Sequence, residues 1–276
     1  MELMSQNTPA EMPCESCPIP RLVQMGIKDA NWDYIVALAG NPNTGKSTLF
    51  NALTGMRQHT GNWPGKTVTR MEGLTKYDEK VFKLVDLPGT YSLLATSEDE
   101  EVARDFILFG QPDVTIVVLD ATRLERNLNL AFQVLEITDR VVFALNLMDE
   151  AKRHGLDVAF RKLSRELGAP VIPTVARTGQ GITDLMQAVE DVARGTVHNK
   201  PRHVTILDPG FNQAVNELAS SLEKLFPSLP NARWVAIRLL DGDERMTAAV
   251  QTGELTELVE AQRLRQPQAT LEALPA

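Results

Sequence analysis

The sequence predicts an α/β fold with a mostly parallel sheet flanked by helices, followed by a small all-helical subdomain. Two observations predict this arrangement. Between residues 33 and 195, short apolar runs alternate with amphipathic helical segments. Beyond residue 200 the alternation stops, and residues 210–265 show only the helical period. A chain of 276 residues is long enough to bury a core for both parts.

The first predicted elements surround a glycine-rich segment. Apolar residues at 34–39 predict a buried strand, and residues 47–53 predict a helix that a glycine closes. Residues 56–66 are polar and contain glycine and proline, so they predict a loop. An alternating strand at 67–77 and an apolar strand at 81–85 follow.

The remaining elements continue the alternation. Residues 98–109 begin with acidic side chains and predict a helix, because acidic residues stabilise a helix N-terminus. Residues 114–119 are all apolar, which is typical of a central parallel strand. Residues 182–192 carry apolar side chains along one helix face. Further helices are predicted at 124–137, 157–168, 234–240 and 254–264, and further strands at 141–146 and 171–174.

Composition limits the classes of function. The net charge of −8 argues against a broad electrostatic contact with nucleic acid or anionic lipid, so no nucleic-acid partner is expected. The first thirty residues lack the basic start and apolar core of a secretory signal. No uninterrupted apolar run approaches the ~18–20 residues of a membrane helix. The chain as given is therefore expected to be soluble and to face the cytosol.

Residues 1–30 are rich in proline and polar residues and are predicted to form a flexible extension. They contain the only cysteines, Cys14 and Cys17. Two free thiols are the favoured interpretation, because a structural zinc site needs four ligands. A metal site shared with another chain or partner is the alternative. Residues 266–276 are predicted to be a tail or linker.

Residues 40–47, with the sequence Gly-Asn-Pro-Asn-Thr-Gly-Lys-Ser, have the spacing of a phosphate-binding P-loop between a strand and a helix. The backbone N–H groups of such a loop and the following helix N-terminus bind an anion. Lys46 is predicted to reach the β- and γ-phosphates of a nucleotide, and the Ser47 hydroxyl to bind Mg²⁺. The predicted nucleotide-binding residues here are Gly40, Asn41, Pro42, Asn43, Thr44, Gly45, Lys46, Ser47 and Thr48.

Three later residues are predicted to complete the phosphate and Mg²⁺ site. Asp86 ends an apolar strand, and its carboxylate can hold the Mg²⁺ shell, usually through water. The N–H of Gly89 is expected to meet a γ-phosphate. Thr67 can complete the Mg²⁺ shell only when a γ-phosphate is present. An ordinary strand threonine is the alternative for Thr67.

The segment Asn146-Leu147-Met148-Asp149 indicates a guanine base. The Asp149 carboxylate accepts two N–H donors, and guanine offers its N1–H and 2-amino group on one edge, whereas adenine lacks that pair. Asn146 is predicted to brace the loop and to hydrogen-bond the base. This pattern disfavours an ATPase.

With these pieces in order, the chain resembles the translation-factor-related branch of small GTP-binding domains, which have the P-loop GTPase fold. The closer resemblance is to the cytosolic N-terminal part of the bacterial ferrous iron transporter FeoB. The specific signal is the Asn-Trp-Pro-Gly-x-Thr-Val segment, since P-loops occur in many families. The motifs that carry the resemblance are residues 40–55, 61–68 and 86–93, with Arg233-Trp234-Val235-Ala236 and Leu240-Asp241-Gly242-Asp243 in the helical part.

The resemblance implies a domain organisation. The family carries a helical segment that resembles a guanine-nucleotide dissociation inhibitor, and a polytopic membrane domain follows it. The implied parts are an N-terminal extension at 1–30, a GTP-binding G domain at 31–198, a helical subdomain at 199–265, and a linker at 266–276 to a membrane domain outside this chain.

The resemblance also implies an activity. It implies a Mg²⁺-dependent, K⁺-activated GTPase whose exchange of GTP and GDP gates Fe²⁺ uptake at the cytoplasmic face of the bacterial inner membrane. GTP would order residues 57–72 and 86–97, and hydrolysis would release them. The oligomeric state stays open, homo-oligomers included. The implied catalytic residues are Asn43, Lys46, Thr67 and Gly89.

The K⁺ ion would take the place of an arginine beside the phosphates. Asn43 and backbone carbonyls of residues 57–67 are implied as its ligands. Thr90 stands where Ras-like GTPases carry a water-orienting glutamine, so hydrolysis is expected to be slow unless another cation helps it. A role for Asn43 in tethering the switch loop alone is the alternative.

Three positions depart from the family pattern. Leu147 replaces a lysine, which weakens packing over the base. Val175 and Ala176 replace a Ser-Ala pair beside Arg177; the Ala176 N–H is still expected to face the guanine oxygen. Both changes are consistent with fast nucleotide release. Lys66 places a charge where the family commonly has an apolar residue.

Two other functions fit parts of the pattern. A K⁺-stimulated GTPase of tRNA modification or ribosome assembly shares the P-loop Asn43, but the acidic charge and the helical C-terminal part argue against an RNA-binding module. A non-catalytic regulatory module would bind GTP only as a structural switch.

Overall fold

A seven-stranded sheet forms the centre of the molecule. The computed structural model describes residues 22, 25–27, 32–55, 58–94, 97–201, 208–227, 229 and 231–256. The strands are β1 (Tyr34–Gly40), β2 (Gln58–Asn62), β3 (Thr69–Tyr77), β4 (Lys80–Asp86), β5 (Val114–Asp120), β6 (Val141–Asn146) and β7 (Val171–Pro173). Their order is β2-β3-β4-β1-β5-β6-β7. β3 pairs antiparallel with both β2 and β4, and all other neighbours are parallel.

The helices lie between and after the strands. In the α/β part they are α1 (Lys46–Thr54), α2 (Glu98–Asp105), α3 (Leu124–Ile137), α4 (Met148–Arg153), α5 (Phe160–Leu167) and α6 (Ile182–Ala193). In the C-terminal part they are α7 (Pro209–Leu225), α8 (Ala232–Leu240) and α9 (Glu244–Gln251). This order of elements confirms the predicted α/β domain followed by a helical subdomain.

Both faces of the sheet are buried. Successive residues of β1 show this, because Ile35 and Ala37 belong to one apolar core, whereas Val36 and Leu38 belong to the other. α1 and α6 cover the second core, and α2, α3 and the C-terminal helices cover the first. β5 and β6 are buried along their whole length, as the all-apolar sequence of a central parallel strand predicts.

Strand β2 corrects the prediction of a loop over residues 56–66. It lies at the edge of the sheet, pairs only with β3, and leaves most of its side chains exposed. Because these side chains do not enter the core, the sequence lacks the alternation of apolar and polar residues that indicates a strand.

Two helical details also differ from the prediction. The helix predicted at 98–109 ends in a buried π-helical turn, Phe106–Gly110. The predicted elements include no separate helix at α4 or α9, which are short, although α9 lies within the stretch 210–265 that shows the helical period. α9 has a recognisable start, because the Asp243 carboxylate accepts the Met246 N–H at 3.1 Å. The helix predicted at 254–264 lies mostly outside the described residues, of which 254–256 are helical.

Part of the predicted flexible extension is packed against the domain. Leu22 and Ile27 are almost fully buried in the core, so the expectation of a loose segment is wrong for these residues. Arg70 of β3 holds the same stretch by donating to the carbonyl oxygens of Met25 and Gly26, each at 2.8 Å. Two isolated apolar side chains are too weak a pattern to predict such packing from sequence.

Two expectations concern parts of the chain that are only partly described. Cys14 and Cys17 lie outside the described residues, so the alternatives for these thiols stay open. In the described part of the chain, no helix combines the length and the apolar character needed to cross a bilayer.

A network of charged side chains joins α2 to the C-terminal helices. The fully buried Arg104 guanidinium lies 2.9 Å from Asp105 and 3.1 Å from Asp243. Arg245 lies 3.0 Å from Asp105 and also pairs with Glu254. Burial raises the pKa of Asp105, although the two guanidinium groups oppose this rise. Asp105 and Asp243 therefore each contact two guanidinium groups, because Arg238 also lies 3.1 Å from Asp243, and removal of Arg104 would take one of the two from each buried carboxylate.

Replacement of Arg104 by leucine should destabilise the protein strongly. We expect the free energy of unfolding to fall by about 3 kcal/mol, because Asp105 and Asp243 lose a buried partner. Denaturant titration followed by circular dichroism measures this loss. The control is Arg140→Leu, because Arg140 is half-exposed and lies 3.8 Å from Asp113; its loss should stay below about 1 kcal/mol. Equal losses for both variants would contradict a structural role of the network.

Candidate nucleotide-binding site

Residues 40–47 form a tight loop that connects β1 to α1. Thr44 closes the loop, since its hydroxyl donates to the carbonyl oxygen of Asn41 at 2.9 Å. Gly45 has a φ of 81°, where an L side chain is strained. A Cβ at Gly45 would also lie 2.4 Å from Nδ2 of Asn146. Both the backbone and the neighbouring amide therefore require glycine at this position.

The buried side chains of Lys46 and Asp86 meet at this loop, although they are 40 residues apart in the sequence. The Lys46 ammonium nitrogen lies 2.5 Å from Asp86 Oδ1 and 2.7 Å from the carbonyl oxygen of Leu87. Burial raises the pKa of Asp86, while the charge and hydrogen bond of Lys46 lower it. Ser47 follows Lys46 and is exposed on the first turn of α1. The predicted phosphate-binding lysine and the predicted Mg²⁺ carboxylate thus share one location.

The segment that follows β4 runs alongside the same loop. The N–H of Thr90 donates to the carbonyl oxygen of Gly40 at 3.3 Å. A Cβ at Gly89 would lie 3.6 Å from Pro42, which places Gly89 in contact with the loop. The backbone of Gly89 therefore borders residues 40–47, and its contact with a γ-phosphate stays a prediction.

Asn146, at the end of β6, binds the loops around it together. Its Nδ2 donates to the carbonyl oxygen of Thr44 at 3.0 Å. Its Oδ1 accepts the N–H of Ala176 at 3.0 Å and the hydroxyl of Thr174 at 3.4 Å. The geometry supports the predicted bracing role of Asn146. The Ala176 N–H donates to Asn146 in this arrangement, and its contact with the guanine oxygen stays a prediction.

Asp149 lies on the first turn of α4 with its carboxylate partly exposed. Nη2 of Arg177 is 3.3 Å from this carboxylate, and Nη2 of Arg153 is 3.8 Å from it. Leu147, with a φ of 63°, precedes α4, and its Cδ2 would lie 3.9 Å from a Cβ at Gly45. Leu147 therefore packs against the P-loop. Asp149 shares a cleft with Met148 and Val175.

Thr67 has a side-chain partner that the sequence did not predict. Its hydroxyl donates to the Glu98 carboxylate at 2.8 Å, and Glu98 begins α2. The sequence could not reveal this partner, because the two residues are 31 positions apart and Glu98 belongs to a run of acidic residues. The role of Thr67 in a Mg²⁺ shell stays a prediction.

Asn43 is exposed at the turn of the P-loop with a φ of 66°. Asparagine tolerates this left-handed conformation better than most residues do. Its amide therefore faces solvent beside the loop, where a monovalent cation can reach it. The other implied K⁺ ligands, the carbonyls of residues 57–67, belong in part to strand β2 at 58–62. Among the described residues of this range, 58–67, those outside β2 are 63–67, and these keep the loop conformation on which the prediction relied.

The donor set fits a magnesium ion bound together with a nucleotide. The Asp86 carboxylate and the Ser47 hydroxyl are hard oxygen ligands, which Mg²⁺ prefers. Among the described residues, no group of three or more His, Cys, Asp or Glu side chains is placed to hold a metal. Oxygens of nucleotide and water would therefore complete the shell. The buried amide of Asn41 adds polar atoms without a protein partner at the same loop.

Sequence reasoning missed Gln133 of α3, which positions the segment after Gly89. Its Oε1 accepts the N–H of Leu93 at 2.6 Å and the hydroxyl of Ser92 at 3.2 Å. A single glutamine on an amphipathic helix carries no signal for this role.

The fold and the arrangement of these loops define the class of the protein as a G domain, the guanine-nucleotide-binding branch of P-loop folds. A family model described as ferrous iron transport protein B matches residues 34–189. A second model, described as FeoB cytosolic helical domain, matches residues 208–272. The chain therefore belongs to the FeoB family.

Known relatives agree with this assignment. The chain is 41% identical over 233 residues to the Fe(2+) transporter FeoB of Escherichia coli, covering 82% of this chain and 29% of that protein. The cytosolic domain of L. pneumophila FeoB matches with a TM-score of 0.72 and 36% identity, over 85% of this chain and 90% of that one. The GDP form I of the T. maritima FeoB cytosolic domain matches with a TM-score of 0.69 and 34% identity, over 86% and 88%. The chain spans less than a third of the length of its curated relatives.

Replacement of Gly45 by alanine should cost more stability than replacement of Gly155. Both glycines have a positive φ, but a Cβ at Gly155 meets nothing within 4 Å. Gly155→Ala should cost about 1 kcal/mol of backbone strain. Gly45→Ala should cost at least about 2 kcal/mol more, because the Cβ displaces the Asn146 amide. Chemical denaturation of the two variants measures the difference. Equal costs would show that Asn146 is free to move.

Proposed function

We propose that this chain is the GTP-hydrolysing regulatory part of a bacterial ferrous iron transporter and that its activity depends on Mg²⁺ and is stimulated by K⁺. The observation that carries the proposal is the contact between Lys46 and Asp86 beside a P-loop that Asn146 braces. Membership of the FeoB family supports it, as does the GDP form of a T. maritima relative.

Each residue at the phosphate end has a physical role in this proposal. Mg²⁺, when bound, would neutralise charge on the phosphate oxygens. Ser47 and Asp86 would hold it, with Thr67 as a ligand when GTP is present. Lys46 would exchange its bond to Asp86 for the β- and γ-phosphates, which offer the ammonium group a larger negative charge. Gly89 would donate its N–H to the γ-phosphate.

The guanine base would bind at the other end of the site. The partly exposed Asp149 carboxylate would accept the N1–H and 2-amino groups of guanine. Leu147 packs against the P-loop and would supply one apolar face for the base. Arg177 lies 3.3 Å from Asp149 and would hold that carboxylate in position. Adenine would leave the Asp149 carboxylate without its pair of donors.

Coupling to iron transport belongs to the longer protein. The switch segments around Thr67 and after Gly89 would change with the bound nucleotide, and the helical subdomain would transmit that change to a membrane domain. The location would be the cytoplasmic face of the inner membrane. The match of residues 208–272 to the FeoB helical domain argues against the alternative of a GTPase for tRNA modification or ribosome assembly.

Turnover of GTP should be several-fold faster in KCl than in NaCl at equal ionic strength. In this proposal Asn43 would hold K⁺, which would supply the positive charge that an arginine provides in other GTPases. Asn43→Gly should abolish the difference between the salts, because glycine tolerates the positive φ of 66° but lacks the amide. Phosphate release under multiple-turnover conditions measures both rates. Equal rates in the two salts would contradict K⁺ stimulation, and no release in either would favour a non-catalytic GTP-binding module.

Replacement of Asp149 by asparagine should shift base preference away from guanine. The amide donates where the carboxylate accepts, so GTP affinity should fall at least about tenfold, corresponding to the loss of a charged hydrogen bond. The affinity for xanthosine triphosphate, which has a carbonyl in place of the 2-amino group, should fall by a smaller factor. Competition of GTP, ATP and xanthosine triphosphate against a fluorescent GDP measures these affinities. Arg153→Gln is the control, because Arg153 is exposed and its distance of 3.8 Å from Asp149 makes the ion pair a weak one. A wild-type preference for ATP would overturn the guanine assignment.

A further inference from the structure

We propose that two glutamates at the start of α2 hold residues 66 and 67 and thereby lower the affinity of the site for GTP relative to GDP. This inference rests on the proposed function, because it requires Thr67 to move to a Mg²⁺ ion that accompanies GTP. It gives a role to Lys66, the charge that the family resemblance leaves unexplained.

Two neighbouring contacts form the tether. The Lys66 ammonium lies 2.8 Å from the Glu101 carboxylate, and the Thr67 hydroxyl donates to the Glu98 carboxylate at 2.8 Å. Glu98 and Glu101 are three residues apart in α2, so their side chains lie on one side of the helix.

The loop that carries the tether is anchored at its base. Trp63 is buried and packs edge-to-face on Phe106, with ring centres 5.3 Å apart. The N–H of Lys66 donates to the carbonyl oxygen of Trp63 at 3.0 Å, and the N–H of Trp63 donates to that of Val68 at 3.0 Å. Trp63 and its turn therefore fix the loop against the same helix region, so that Lys66 and Thr67 present their side chains to the glutamates.

The tether opposes the arrangement that GTP requires. If Thr67 approached the γ-phosphate while still bound to Glu98, it would carry a carboxylate toward a triphosphate, and like charges repel. The Glu101 carboxylate, which is bound to the adjacent Lys66, would also move toward the triphosphate. The two contacts must therefore open before Thr67 joins the Mg²⁺ shell, and their strength subtracts from the affinity for GTP. GDP has no γ-phosphate and makes no such demand on Thr67.

A double-mutant cycle of Lys66→Met and Glu101→Gln tests the tether. The exposed fractions of the two side chains are 30% and 33%, so the pair is only partly screened. Each single variant should bind a non-hydrolysable GTP analogue about threefold more tightly than the wild type. The double variant should gain no more than either single variant, because both remove the same contact. GDP affinity should stay unchanged in all three.

The second contact is tested with Glu98→Ala against Asp99→Ala. Both changes remove one negative charge from the first turn of α2, but Asp99 is exposed and does not contact the loop. Glu98→Ala should raise the ratio of analogue affinity to GDP affinity about threefold relative to Asp99→Ala. Fluorescent nucleotide titrations with Mg²⁺ give both affinities, and the thermal unfolding midpoint confirms that each variant is folded.

The outcomes separate the tether from the proposed function. If wild type binds guanine nucleotides but the Lys66, Glu101 and Glu98 variants match the Asp99 control, the tether is overturned and the proposed function stands. A weaker affinity of the variants for the GTP analogue would also overturn it, since the contacts would then assist the GTP arrangement. If the wild type binds no guanine nucleotide, both proposals fail.

Discussion

The candidate site depends on the hydrogen bonds that the side-chain amide of Asn146 makes to the loops around it. One planar group donates to the P-loop carbonyl of Thr44 and accepts the N–H of Ala176, so it joins three loops that are far apart in the sequence. Parallel strands bring their carboxyl ends to one edge of a sheet, which places these loops within reach. Gly45 is glycine because this amide occupies the space where a side chain would go. The stability of the loops and the proposed recognition of the nucleotide thus depend on one residue.

Helix α2 connects the site to the rest of the molecule. Its first turns hold Lys66 and Thr67 through Glu101 and Glu98, and its last residues hold the C-terminal helices through Arg104 and Asp105. The contacts at its start are partly or fully exposed and weak, whereas the buried ones at its end are costly to break. In the proposed function, a change in nucleotide would free residues 66 and 67 from the start of α2 while the end of α2 stays attached to the helical subdomain.

The sequence predicted the parts of the fold with strong periodicity. The central strands β5 and β6 and the helix α3 follow the predicted bounds closely, because their burial imposes an unbroken apolar or helical pattern. The edge strand β2 escaped prediction, since it is stabilised by backbone pairing with β3 rather than by side-chain burial. The packing of Leu22 and Ile27 was not predicted for a related reason, because long-range contacts leave no local period of apolar residues in the sequence.

The sequence by itself determined the P-loop, the order of the motifs and the family, because backbone conformation and ligand chemistry restrict which residues serve at these positions. Only the tertiary structure decided which groups are partners. It directed the Ala176 N–H to Asn146, the Lys46 ammonium to Asp86, and the Thr67 hydroxyl to Glu98. Each of these contacts joins residues that are 30 or more positions apart. Sheet order and helix packing set such distances, and no local pattern in the chain encodes them.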